Sequence, residues 1–172
     1  MSAVVRSLAA AAAWLSAFLG KAVRLVRFDP SHRRLSNPQW THGVDAENRF
    51  SDGYPLMIIG EESLEDLNHR LAAPLPMNRF RPNIVIRGLG PHGEDDAQVL
   101  RGDGFEIRLV KPCERCRITT IEQATAAVGQ EPLRTLKTYR HDRALKGVVF
   151  GQNCVIDAGI GERLAVGATL TI

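Results

Sequence analysis

Val-, Ile-, Leu- and Phe-rich runs of a few residues, many of them punctuated by glycine, recur along this chain, and that pattern limits the fold more than any other feature. Runs this short, rich in Val, Ile and Phe, read as strands rather than helices. They fall at residues 22–28, 54–59, 84–86, 99–100, 105–109, 148–150, 154–156, 164–166 and 169–172. Between the fourth and fifth runs, Arg101-Gly102-Asp103-Gly104 has the chemistry of a tight hairpin turn.

Helical spacing occurs in only three places. Gly60-Glu61-Glu62-Ser63 opens a helix whose Leu64, Leu67 and Leu71 share a face, with acids early and His69 and Arg70 late, in agreement with the helix dipole. Pro132 suits a first helical position and precedes Leu133, Leu136 and Tyr139. Near the start, Leu8, Trp14, Leu15, Phe18 and Leu19 read as the buried face of a helix stopped by Gly20. That apolar stretch is too short to span a bilayer, and it is taken as a helix rather than a targeting segment. Many short strands with two or three helices against them predict a mainly β, α+β fold, a barrel rather than a doubly wound sheet.

A chain of 172 residues suits one domain with a substantial core. Its formal charge of +3 would favour an anionic ligand but falls far short of a nucleic-acid binder's signature. Three cysteines, an odd number, argue against a disulfide framework and for a reducing cytoplasm. The long polar connection over residues 29–52 reads as a functional or mobile loop anchored by Trp40. Glu94-Asp95-Asp96 reads as a solvated turn, Arg134, Lys137 and Arg140 as a solvated helix face followed by Arg143 and Lys146, and Cys154 as a core thiol.

Chemistry concentrates at Cys113-Glu114-Arg115-Cys116, which follows the alternating run 105–109 with Arg108, Lys111, Arg115 and Arg117 nearby. Cations favour the thiolate, the form that ligates soft metals or attacks electrophiles. A four-ligand zinc site would need Cys113, Cys116, His141 and Cys154, whose separations fit no common zinc module. A thioredoxin-like pair would need a helix N-terminus, yet residues 117–121 are β-branched and read as a strand. Two thiols acting as small core hydrophobes remain the plain alternative. Upstream, residues 78–82 lead into the 84–86 strand, placing Arg79, Arg81 and Asn83 at a strand mouth. There a guanidinium suits phosphate and an amide can read a ring edge.

Pro112-Cys113-Glu114-Arg115-Cys116-Arg117-Ile118-Thr119-Thr120, Asn78-Arg79-Phe80-Arg81-Pro82-Asn83-Ile84-Val85-Ile86 and Phe150-Gly151-Gln152-Asn153 together resemble the MOSC domain, the molybdenum cofactor sulfurase C-terminal domain. The likeness is to the branch containing bacterial hydroxylaminopurine-resistance reductases and the mitochondrial amidoxime-reducing component. It runs from about Trp14 to Ile172.

The resemblance implies a MOSC-type β-barrel and a molybdenum cofactor, molybdopterin-bound and held by the Cys116 thiolate. Arg81 and Asn83 match the family's cofactor-contacting Arg-Pro-Asn. Arg79 accompanies them, Thr119 and Thr120 could donate hydrogen bonds near the sulfur, and Cys113 is left as a spare thiol. The activity implied is two-electron reduction of N-hydroxylated compounds, with electrons from a separate electron-transfer protein or reductase. The chain is expected to be a single MOSC domain over residues 1–172, with residues 1–20 the remnant or tail of a missing N-terminal domain; that domain, or self-association, is a further expected partner. Neither nucleic acid nor membrane is an expected partner. The alternative is a non-catalytic module carrying sulfur as a persulfide on Cys116.

Overall fold

A computed structural model describes residues 9–172. Its centre is a six-stranded mixed sheet ordered β2-β1-β6-β4-β3, with β5 pairing β6 off that path. The strands are β1 (Leu56–Gly60), β2 (Ile84–Ile86), β3 (Val99–Gly102), β4 (Phe105–Glu114), β5 (His141–Asp142) and β6 (Gly147–Ala158). Only β1 and β2 pair in parallel, and α2 (Glu61–Arg70) lies in the connection between them. The long pair β4 and β6 shifts register three times, after Glu106, Leu109 and Pro112. Each shift adds local twist, so the sheet curls into a half-barrel of the expected mainly β class.

Alternation along the strands builds a core on each face. Ile58 joins Leu100, Phe105, Ile107, Leu109 and Cys154 inside the curl. Its neighbour Ile59 packs on the other face with Phe80, Phe150, Leu67 of α2 and Leu136 of α3 (Leu133–Tyr139). β6 reads in sequence as two runs but is one strand, because Gly151 takes a φ of +77° and carries the chain through. A Cβ there would lie 2.6 Å from the Ile58 carbonyl oxygen, so the position needs glycine.

Several expectations are overturned. Residues 22–28 form no strand: Leu25 and Val26 are exposed, and Val23 is tied only to Ser16 Oγ of α1 (Ala9–Leu19), through its N–H and carbonyl. The β-branched pattern is present there, but no ladder partner is. α1 forms as predicted and Gly20 follows it at a φ of +64°, yet it buries none of its residues. Trp14 and Phe18 instead stack on each other outside the core, and Leu8 lies outside the described residues. Residues 117–121 are no strand either. Arg117–Thr120 is a 3-10 turn, because Thr119 and Thr120 donate their hydroxyls to the carbonyls three residues back, at 2.9 and 2.8 Å. Of the last two runs, only Thr171 pairs, with Arg101 of β3.

The acidic triplet is a solvated turn only in part, since Asp95 and Asp96 are exposed but Glu94 is not. Glu94 is 1% exposed and accepts hydrogen bonds from the Gly60 N–H at 3.2 Å and Ser63 Oγ at 2.6 Å. It thereby satisfies the Gly60 N–H at the start of α2 and holds the Ser63 hydroxyl, at an end where the dipole also favours a carboxylate. Asp95 accepts from Arg140 at 2.6 Å and from Gln152 at 2.7 Å, which takes Arg140 off the solvated face of α3.

Candidate functional site

Two segments distant in sequence meet at a cleft of about 530 Å³. One is the end of β4 and the turn after it, supplying Cys113, Arg115, Cys116 and Thr119. The other is the turn from Met77 into β2, supplying Arg79, Phe80, Arg81 and Asn83. The cleft is large enough for a cofactor-sized ligand. Cys116 is exposed, whereas Cys113 is half-buried and Cys154 is buried in the core.

The thiols differ in surroundings. Burial pushes the Cys113 thiol up, against the opposing pull of the Arg115 guanidinium, whose Nη1 lies 3.0 Å from Cys113 Sγ. Cation proximity alone therefore does not make Cys113 a thiolate. Burial also pushes Cys154 up strongly, as suits a core thiol.

Arg115 ties the cleft together. Its Nη1 also reaches Met57 Sδ of β1 at 2.7 Å, and its Nη2 donates to the Phe80 carbonyl at 2.7 Å. Its Nε is buried without a partner, an orphan donor in the cleft wall. Asn83 is fixed at both ends: its N–H donates to the Met57 carbonyl at 2.9 Å, and its Oδ1 accepts from the Met57 N–H at 2.8 Å. That leaves the Asn83 Nδ2 amide for a ligand. Arg81 is exposed in the left-handed region, at a φ of +57°, and its guanidinium makes no ion pair among the described residues. A non-glycine residue held there costs free energy, and such strain gathers at functional sites. Arg79 is buried, with Glu122 at 3.8 Å, and also lines the cleft. Thr119 lines it and Thr120 does not, and both hydroxyl protons are committed within the turn.

The third wall comes from the long loop, which the sequence marks as functional without singling out these residues, and from the third motif. Phe50, Ser51, Asp52 and Gly53 line the cleft from the long loop, and Asn153 lines it from β6. The Arg34 guanidinium shapes that loop by donating to the carbonyls of Arg49, Ser51 and Asp52 at 2.7, 2.8 and 2.9 Å. Trp40, expected to anchor the loop by packing, lies under the Lys111 ammonium of β4 at 5.5 Å. No local pattern marks Arg34 as different from its neighbour Arg33, which pairs with Asp45 and Glu47.

A MOSC domain profile matches residues 45–171. Mitochondrial amidoxime-reducing component 1 of Mus musculus is 41% identical over 153 residues, covering 83% of this chain and 45% of its own length. The Homo sapiens protein of the same name is 37% identical over 159 residues, 86% of this chain and 47% of its own. Mitochondrial amidoxime reducing component 2 of Bos taurus is 36% identical over 134 residues, covering 76% and 40%. This chain therefore spans about half the length of the curated relatives it matches. These names overturn the expectation of a cytoplasmic location, since each relative is a mitochondrial component. Free thiols report a reducing environment, not which compartment supplies it.

Proposed function

Because the chain belongs to the MOSC domain family, we propose that it is the cofactor-binding domain of a molybdenum-dependent reductase acting on N-hydroxylated compounds. The observation that carries this reading is the exposed Cys116 thiol at a cleft whose wall also holds the strained, unpaired Arg81 and the amide of Asn83. The donor set fits the cofactor: a single accessible thiol for a soft metal, guanidinium groups for a phosphate, and an orphaned buried donor at Arg115 Nε. When bound, the cofactor would supply two-electron chemistry at its molybdenum.

The chain's own residues then have distinct tasks. Cys116 holds the metal through its thiolate. Arg81, with Arg79 behind it, receives the phosphate, and Asn83 Nδ2 reads the edge of the pterin. Arg115 holds the Cys113 sulfur with its Nη1 while tying the end of β4 to Met57 and Phe80. Thr119 and Thr120 hold the turn after Cys116, so that the sulfur stays at the cleft mouth. Electrons come from a separate carrier or reductase.

The deciding experiment substitutes each thiol by serine and measures bound molybdenum by elemental analysis. Loss is expected in Cys116→Ser and retention in Cys113→Ser. Retention in Cys116→Ser removes the thiolate-ligand reading. Sulfane sulfur on Cys116 in protein that never takes up molybdenum would replace the reductase with a persulfide carrier.

A further inference from the structure

The loop wall of the cleft is held from behind. Phe50, Ser51, Asp52 and Gly53 line the cleft, whereas Arg34 does not. A short antiparallel ladder fixes Arg34 at the base of the bend over residues 49–53. The Ser36 N–H donates to the Ala46 carbonyl at 2.9 Å, Leu35 bridges Glu47, and the Asn48 N–H donates to the Arg34 carbonyl at 2.8 Å. Buried Asn48 also accepts the Ser51 hydroxyl through its Oδ1. From that base the Arg34 guanidinium reaches three carbonyls of the bend, Nη1 to Arg49 and Ser51 and Nη2 to Asp52. Arg33, one residue earlier, turns instead to Asp45 and Glu47.

The peptides of this bend are trans and planar, so each C=O and the N–H that follows it point in opposite directions. Drawing the carbonyls of Arg49, Ser51 and Asp52 onto Arg34 therefore turns the N–H groups of Phe50, Asp52 and Gly53 away from it, and these three residues line the cleft. None of the three N–H groups donates to another group among the described residues. Those of Asp52 and Gly53 are consecutive, and successive N–H groups aimed one way in a turn make a concavity for an anion. Fixed backbone donors also cost no reorganisation when a negative oxygen arrives.

We infer that Arg34 is a positioning residue for cofactor binding, holding the N–H groups of Phe50, Asp52 and Gly53 toward the cleft, where they donate to an anionic oxygen of the bound molybdenum cofactor. This rests on the cofactor reading above. The role needs a guanidinium, because its planar fork serves three carbonyls from one fixed place, whereas a lysine ammonium is a single point on a flexible stem. It places no charge in the cleft itself, which separates Arg34 from Arg79, Arg81 and Arg115, all of which line it.

Amide resonances and cofactor affinity test the inference without turnover. On loading the isotope-labelled chain with isolated molybdenum cofactor, the amides of Phe50, Asp52 and Gly53 should shift. Arg34→Ala should weaken cofactor binding by about tenfold or more, as the loss of charge-assisted hydrogen bonds does, and free guanidinium ion at millimolar concentration should restore it. Arg33→Ala should stay within about twofold. Restoration by guanidinium distinguishes positioning from a general loss of fold. Should Arg34→Ala not fold, Arg34→Lys takes its place, with weakened affinity expected at an unchanged urea midpoint. Full affinity in the Arg34 variant, equal loss in Arg33→Ala, or unshifted amides in the loaded chain overturns the inference. If the unaltered chain takes up no cofactor, the cofactor reading fails, and inorganic phosphate titrated against the same amides then decides the positioning claim. Shifts that saturate in the unaltered chain and vanish in the Arg34 variant uphold it, and their absence overturns it.

Discussion

Arg81 joins backbone strain to a free charge, and the two separate under substitution. Arg81→Ala keeps the left-handed backbone and removes the guanidinium, so cofactor affinity should fall by about 1.5–3 kcal/mol, the range for a lost charge-assisted hydrogen bond. Arg134→Ala, on the exposed face of α3, should stay within about 0.5 kcal/mol. Arg81→Gly should lose the same affinity while unfolding stability holds or rises by up to about 1 kcal/mol, because glycine occupies positive φ without a Cβ penalty. Equilibrium dialysis of the cofactor and urea melts of all three variants check both halves. A stability loss above about 1 kcal/mol in Arg81→Gly would mean that the side chain, not the cleft, requires that backbone. At this scale, the motifs bring Cys116, Arg81 and Asn83 to one cleft, since each lies within or beside a recognisable run. Glu94 was illegible for the opposite reason. Three consecutive acids look solvated until the fold sets Gly60 and Ser63 against one of them.

The elements depend on whether β6 passes β1 in register while α2 and α3 cover the far face. Gly151→Ala would press a Cβ into the Ile58 carbonyl and Ile59 Cγ1, both at 2.6 Å, in a backbone conformation that already disfavours alanine. Destabilisation of more than about 1 kcal/mol is expected, against a change within about 0.5 for Gly53→Ala, where nothing lies within 4 Å. Leu136→Ala, at a fully buried site between α3 and the sheet, should cost about 2–5 kcal/mol. Urea midpoints rank the three, and equal effects at Gly151 and Gly53 would contradict the close approach of β6 to β1. The strands of the central sheet were readable because alternation and glycine turns are local signals. Residues 22–28 and 164–166 carry the same composition and form none, since a strand also needs a neighbour's hydrogen bonds, and sequence pattern does not report neighbours. The turn after Cys116 was misread because hydroxyl-to-carbonyl bonds outcompete β propensity there.

For the whole molecule, the seam between α2, α3 and the loop before β3 contributes to the loss of stability in alkali. Tyr139 sits in that seam with the Arg70 guanidinium 4.2 Å from its ring centre and the His92 ring against its edge. Burial first, and the Asp66 carboxylate second, push its hydroxyl up to about 12 from an ordinary value of 10.0. A raised value in the folded state means that the folded chain holds its proton after the unfolded chain has released it. Between about pH 10 and 12 the unfolded state therefore binds fewer protons, and stability falls as pH rises. Below about pH 10 both states are protonated and the contribution is constant. Tyr139→Phe keeps the ring packing and cannot ionise, so its urea midpoint should decline less over that window while matching the unaltered chain near neutrality. The thiols of half-buried Cys113 and buried Cys154 are also pushed up by burial, and their share of the alkaline decline should persist in Tyr139→Phe. If the two proteins lose stability in parallel above pH 10, the hydroxyl is reached by water, and the seam is looser than its packing implies.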